Sequence, residues 1–327
     1  MTADQARAFW VTAPGHGAIR DEILPTPAPS DIVVRTRYSA ISRGTESLVF
    51  TGGVPEAEWS RMRAPFQAGE FPAPVKYGYC NVGEVEQGPG ALVGRTVFSL
   101  FPHQTRFVIS ANAAYALPAD VPAARAVLAA NMETAVNGVW DAAILPGDRV
   151  VVVGGGTIGC LVAWLASRIQ GTDVCLVDIN PARAAVAAAL AVPFALPDDA
   201  PRERDVVMHV SGSPAGLELA LSLAAFEATV VEMSWFGAQS VSLPLGEGFH
   251  AKRLSIRSSQ VGHVATSRRA RWDYRRRMEF AISLLREPTL DALITGESAF
   301  DDLPAIMPAL ASGARDAICH RVRYGSD

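Results

Sequence analysis

The chain is poor in cysteine. Its four residues of that type, Cys80, Cys160, Cys175 and Cys319, include no CxxC pair, which excludes a cysteine-built zinc knuckle and leaves no spacing for a disulfide framework. The six histidines, His16, His103, His209, His250, His263 and His320, are scattered, with no HExxH among them, so the spacings point to no metal site. No apolar run reaches the ~18 residues of a membrane span, because Pro193 breaks Ala185–Leu196. A basic-then-apolar leader is also missing, and the expectation is a cytoplasmic protein without a membrane partner. Positive charge is not in excess either: 29 Lys and Arg against 33 Asp and Glu leave −4, which argues against nucleic acid. The one basic run, Arg268, Arg269, Arg271, Arg275, Arg276 and Arg277, is expected to be a solvated helix face.

What the chain does have is apolar mass, 49% of 327 residues, enough for about two ordinary domain cores. At its centre the apolar strand from Val150 runs into Gly154-Gly155-Gly156-Thr157-Ile158-Gly159, and Asp178 closes the next apolar run. A strand, a GxGxxG loop, a helix over Cys160–Ile169, a strand over Asp173–Val177 and an acid, in that order, predict a dinucleotide site. Gly154 serves the turn, Gly156 lets the backbone approach a pyrophosphate, and Gly159 lets the helix pack on the sheet. The helix start then faces the phosphates with its N–H groups, which makes Thr157 and Ile158 cofactor-binding candidates. A carboxylate at the position of Asp178 accepts from ribose hydroxyls and repels a 2′-phosphate, which favours NAD over NADP. Arg183 keeps NADP open as the lesser alternative, and a helix cap is the structural alternative for Asp178.

Around this centre the pattern changes twice. The first ~125 residues carry short β-type runs (Asp31–Tyr38, Gly83–Glu86, Thr96–Leu100, Arg106–Ser110) broken by Gly and Pro, as in a twisted antiparallel barrel. A helical stretch, Ala123–Ala142, leads into alternating strands and helices up to about Gly262. Later strands over Asp205–Val210, Thr229–Met233 and Leu254–Arg257 present Ser211 and Gly212, Ser234 and Trp235, and Ser258 at their carboxyl ends, where ligands of open parallel sheets lie. The remainder, with helices near Trp272–Leu285 and Leu303–Ala311 and a strand over Ala317–Tyr324, is expected to rejoin the first domain. The division is therefore 1–125 with 265–327, and 126–264.

This order of parts, with Pro146-Gly147-Asp148-Arg149-Val150 leading into the glycine loop and Gly212-Ser213-Pro214 after the fourth strand, resembles the medium-chain dehydrogenase/reductase family over nearly the whole chain. Ser42-Arg43-Gly44-Thr45-Glu46, followed by Leu48 and Gly52, looks most like the bacteriochlorophyllide dehydrogenase-like members. The resemblance implies an α/β protein: a GroES-like β-rich catalytic domain plus a doubly wound Rossmann domain, with the active site between them. It also implies a homodimer, for which an edge strand near Val241–Leu245 is the candidate contact.

The departures from the zinc-bearing members bear on chemistry. Aligned on Thr45-Glu46, Arg43 stands where they carry a cysteine, and Gly78-Tyr79-Cys80 replaces their Gly-His-Glu. The third ligand would fall in Ala130–Glu133, where only Glu133 could coordinate. A guanidinium, a phenol and one carboxylate do not make a zinc site, so the resemblance implies hydride chemistry without zinc. Arg43 and Tyr79 are the first candidates to replace the metal's charge, with Thr45 as the family's proton-relaying hydroxyl. Their bland readings are Arg43 paired with Glu46 or Glu133, and Tyr79 as a core aromatic. His103, after a strand whose family counterpart lines the substrate pocket, is the second acid/base candidate against a surface histidine. Glu133 is a base or a partner for Arg43, and Thr134 matches a residue beside the nicotinamide.

An insertion between Gly53 and Val75, with Trp59, Arg61, Arg63, Phe66 and Phe71, would suit an aromatic or anionic small molecule, or serve as a structural Ω-loop or dimer contact. The expectation is a zinc-independent, NAD(H)-dependent enzyme interconverting alcohol and carbonyl. The alternatives are reduction of an activated double bond and a non-catalytic NAD-binding regulatory protein.

Overall fold

A computed structural model describes residues 5–325. By contact it divides into two compact units, one comprising residues up to Ala130 with Ile282–Glu287 and residues from Ile294 onward, the other Asn131–Ala281 with Pro288–Leu293.

The first unit is β-rich. Its larger sheet runs Ile294–Ala299, Cys319–Arg323, Asp31–Ile41, Asn81–Gln87, Thr96–Ser99 and Ala114–Ala116, with Arg106–Ser110 also paired to Asp31–Ile41. Only the first of these pairings is parallel. A four-stranded antiparallel sheet, His16–Ile23, Gln5–Ala13, Val75–Lys76 and Ala68–Gly69, completes it. The expected barrel is thus two sheets, and Ala8 pairs with Gln104 as an isolated bridge. Alternation explains the core, since Ile32 and Val34 project from one face of their strand onto Val85, Val97, Phe107 and Ile109. Phe101 lies flat on Phe107 with ring centroids 4.0 Å apart.

The second unit is a six-stranded parallel sheet in the order Phe194–Ala195, Asp173–Val177, Arg149–Val153, Arg204–His209, Ala224–Glu232, Ser255–Ser258. Numbered along the chain this is 3-2-1-4-5-6, the doubly wound dinucleotide-binding order. Its switch point lies between the third and fourth strands of that row. The central strands read as apolar runs because helices cover both faces. Val151, Val153, Val207 and Val230 pack against Leu217 and Leu221 of the helix Pro214–Leu223.

Four features differ from the sequence reading. The stretch Ala123–Ala142 is two helices, Ala123–Ala126 and Ala129–Ala142, and the glycine-loop helix spans Thr157–Ala166. No strand forms over Val241–Leu245; the sheet ends at Ser255–Ser258. The helix Tyr274–Leu284 falls largely in the second unit, where Arg277 is buried in an ion pair with Glu133 and Trp272 packs on Trp140 at 4.8 Å. Among the described residues no helix is long and apolar enough to cross a membrane.

Candidate functional site

The glycine loop closes the strand Arg149–Val153. Gly154 has φ +116°, and a Cβ there would lie 2.7 Å from the Ser211 backbone, while one on Gly159 would strike the Gly154 carbonyl. Only hydrogen fits at either place. Around Gly156 the reverse holds: a Cβ would meet nothing within 4 Å, so the loop backbone is open to a ligand. Gly156 caps the helix Thr157–Ala166 without a side-chain hydrogen bond, so the loop backbone leads directly into the helix start. This cradle fits a pyrophosphate.

Asp178 stands at the end of the neighbouring strand, half-buried. Its carboxylate accepts from the Gly155 N–H at 2.6 Å and the Asn180 N–H at 2.8 Å. Each oxygen keeps a second lone pair, so two ribose hydroxyls can still be received. Arg183, the residue that kept NADP open, is buried, with its stem against Gly155.

At the switch point the structure assembles a group that spacing could not show. His209 is fully buried at the end of its strand; its Nδ1 lies 2.6 Å from Glu232 Oε2 and its Nε2 2.7 Å from Ser211 Oγ. Glu232 Oε1 accepts from the Ser234 N–H at 2.6 Å, and Ser234 Oγ accepts from the Gly212 N–H at 3.0 Å. Trp235 follows, half-buried, and Ser258 lies exposed on the edge strand. The available signal was a histidine in the otherwise apolar run Val206-Val207-Met208.

In the first unit, the helix Arg43–Phe50 buries Glu46, Val49 and Phe50, an i, i+3, i+4 face. Glu46 accepts from the Ser42 N–H at 2.8 Å and meets His103 Nε2 at 2.8 Å. His103 Nδ1 meets Ser39 Oγ at 2.7 Å, and that hydroxyl meets the Tyr324 phenol at 2.9 Å. His103 is therefore a core residue, neither a surface histidine nor one with a ring nitrogen to spare. Tyr79 hydrogen-bonds the Ser42 side chain, and burial, reinforced by Tyr77, Cys80 and Glu46, raises its phenol well above the ordinary range. Thr45 is half-buried in the first turn of the same helix.

Arg43 does not join this cluster. It turns to the C-terminal segment, donating to Asp316 Oδ1 at 3.2 Å and to the Ala317 carbonyl at 3.1 Å, and no cation is among the groups acting on the Tyr79 phenol. The expected Arg43–Tyr79 pair is corrected on that ground: the guanidinium is neutralised, though by neither acid the sequence suggested. Glu133 is likewise engaged, its Oε1 receiving Arg277 Nε at 3.0 Å. Arg277 gives its remaining donors to Asn137 Oδ1 and the carbonyls of Val261 and His263. Burial still raises the Glu133 carboxyl, with Arg277 opposing. Both corrections have one physical cause, since a buried or half-buried charge takes the counter-charge the fold supplies. In the basic run Arg277 alone departs from the expected solvated face and is core; Arg268, Arg269, Arg271, Arg275 and Arg276 are exposed, with Arg276 over Trp272 at 4.1 Å. Thr134 is half-buried one position past Glu133. In the insertion, Arg61 pairs with Glu58 and Arg63 with Glu70.

Zinc does not fit this donor set. A guanidinium has no lone pair to give, the phenol holds its proton, and among the described residues no three of His, Cys, Asp and Glu are grouped to hold a metal ion.

No family model matches the chain. D-guloside 3-dehydrogenase of Escherichia coli is 26% identical over 320 residues, covering 87% of this chain and 91% of that protein. 2-Desacetyl-2-hydroxyethyl bacteriochlorophyllide A dehydrogenase of Rhodobacter capsulatus is 33% identical over 211 residues, 58% of this chain and 61% of that one. Among solved structures, L-idonate 5-dehydrogenase of Escherichia coli superposes with a TM-score of 0.79 at 16% identity, covering 98% of each chain. With the parallel 3-2-1-4-5-6 sheet, the glycine cradle and the β-rich unit, these likenesses identify the architecture: the chain has the fold of the medium-chain dehydrogenase/reductase family.

Proposed function

We propose that the protein is a zinc-independent, NAD(H)-dependent oxidoreductase that interconverts an alcohol and a carbonyl on a ring-bearing small molecule. The observation that carries this reading is the open cradle at Gly156 beside a carboxylate, Asp178, with acceptor capacity left for ribose. A 2′-phosphate would meet like charge there, which supports NAD. When bound, the nicotinamide supplies or takes the hydride. The chain's own part is to bind and orient that group and to hold a proton for the substrate oxygen.

For that proton the reading takes Tyr79. A phenol whose pKa burial has raised stays protonated at neutral pH, so it donates to a carbonyl oxygen as negative charge develops there, and Ser42 holds it in place. Thr45 stands in the same first turn as a second hydroxyl. His103, with both nitrogens engaged, acts on this cluster only by holding Glu46.

The substrate class follows from two supports. One relative is named for oxidation at position 3 of a guloside, a polyhydroxylated ring. The arginines of the insertion are matched by Glu58 and Glu70, which weakens the case for an anionic substrate and favours a neutral glycoside or polyol.

A turnover screen read by NADH fluorescence tests this. Glycosides and cyclic polyols are expected to reduce NAD, with Tyr79→Phe lowering kcat about 100-fold, the lower end for loss of a general acid. Activity confined to enones would move the assignment to double-bond reduction, and cofactor binding without turnover, unaffected by Tyr79→Phe, would leave a binding protein. Asp178→Ala is expected to weaken NADH by about 30-fold, as for charge-assisted bonds lost, and NADPH little. About one tightly held zinc per chain would overturn the metal-free reading.

A further inference from the structure

Residues 268–280 of the second unit carry a strongly charged surface. Arg275 is paired there with Glu279, and Arg277 lies in the core on Glu133. The other four arginines, Arg268, Arg269, Arg271 and Arg276, are exposed, and among the described residues none of them has a carboxylate partner. The remaining acid of the stretch, Asp273, receives the Arg276 backbone N–H at 2.8 Å. Positive charge is therefore left over at this surface, although the whole chain is negative.

Beneath the arginines lies an aromatic floor. Trp140, from the helix Ala129–Ala142, packs on Trp272 with ring centroids 4.8 Å apart, and Phe280 lies 6.4 Å from the first and 5.7 Å from the second. Arg276 lies over Trp272 at 4.1 Å and Arg268 over Trp140 at 5.6 Å. Stacking fixes the plane of a guanidinium and leaves edge N–H groups for the forked recognition of a carboxylate. Arg276 is held further by the N–H it gives to the Arg271 carbonyl. Two arginines are thus ordered before any partner arrives, which lowers the cost of binding one.

Charge and composition select the kind of partner. Arg, Trp, Tyr and Phe are the side chains enriched where proteins bind one another, and lysine, absent from residues 268–280, is depleted there. Tyr274 and Phe280, 53% and 36% exposed, add apolar area to the charge. Nucleic acid would need open ring faces on which bases stack, whereas each tryptophan carries a guanidinium and packs on the other rings. The same contacts hold the tryptophans back from the insertion by which a membrane interface takes up aromatic rings. A second copy facing this surface across a two-fold axis would set arginine against arginine. We propose that this surface docks a segment of a partner protein rich in Asp and Glu, with Arg268 and Arg276 as its carboxylate anchors.

Poly-L-glutamate serves as the probe, titrated into the full chain by calorimetry at low salt, where surface charge is least screened. It is expected to bind, and Arg276→Gln is expected to weaken it about fivefold, as for one charge-assisted bond partly screened by solvent. Arg202→Gln removes an exposed arginine elsewhere on the same unit and should leave the affinity within about twofold. Failure of poly-L-glutamate to bind overturns the proposal and returns the run to a solvated face. Equal losses in the two variants overturn it too, since they would show diffuse attraction in place of a site. Tighter binding of phosphatidylglycerol vesicles, or of a single-stranded oligothymidylate, gives the surface to a lipid or a nucleic acid and likewise overturns it. None of these outcomes touches the cofactor reading, which NADH titration of the same samples checks separately.

Discussion

The two units each bury a histidine between a carboxylate and a serine, and they use it differently. In the first, Glu46, His103 and Ser39 continue to Tyr324, and His103 and Glu46 are 2% and 4% exposed. In the second, Glu232, His209 and Ser211 end at a serine on the surface. Hydrogen bonding alone does not distinguish them; what lies beyond the serine does. A chain closed by another buried side chain ties elements together, here the helix Arg43–Phe50 to the strands Asp31–Ile41 and Cys319–Arg323. A chain open at one end leaves its last residue, Ser211, at the surface.

The sharpest way to break this comparison is to remove the closed histidine. His103→Ala removes the hydrogen-bond partner of two buried groups, the Glu46 carboxylate and the Ser39 hydroxyl, and each buried group left unsatisfied costs about 1–3 kcal/mol. A large drop in melting temperature is expected, against about 1 kcal/mol for Ser211→Ala, which leaves one buried atom, His209 Nε2, without its partner. If His103→Ala melted normally, the first network would not be structural.

Neutralising the two carboxylates gives a finer test. Glu46→Gln keeps one acceptor oxygen, turns an NH2 toward the other partner, and loses the charge that strengthens the bonds to His103 and the Ser42 N–H, at a cost of about 2 kcal/mol in a dry setting. Glu232→Gln makes the same change at a half-buried position where solvent screens part of it, and about 1 kcal/mol is expected. Thermal denaturation of both variants beside the parent checks the ranking, and equal losses would count against burial as the distinguishing variable.

The same contrast explains what the sequence could disclose. The strands Arg106–Ser110 and Asp173–Val177 and the helix Leu303–Ala311 form over the residues read as such, because each is a periodic apolar run between breakers, a local property. The glycine loop and Asp178 were legible for the same reason: motif and helix start are adjacent in the chain. Partners chosen by tertiary packing were not. Arg43 finds Asp316, 273 residues away, Arg277 finds Glu133, 144 away, and His209 meets Glu232 only because two parallel strands place their ends side by side. A charge in a sequence announces that it needs a partner, and the fold decides which one.

A third histidine tests burial without a hydrogen-bonded carboxylate. His320 gives its Nε2 to Ser298 Oγ at 2.9 Å, and its Nδ1 is buried without a partner. Burial first, then the Arg315 cation and His103, lower its pKa to about 4, with Glu297 opposing. The folded state therefore prefers the neutral ring, whereas the unfolded chain takes up a proton near pH 6.5. Between those values the unfolded state binds more protons, so the sign is fixed: the contribution is fully present above about pH 6.5 and is lost as the pH falls towards about 4. Partial solvent access reduces it to about 1–2 kcal/mol. The melting temperature of the parent should fall more steeply across that window than that of His320→Gln, which has nothing to titrate there, and parallel slopes would show that a buried histidine without a hydrogen-bonded carboxylate carries no acid-sensitive stability.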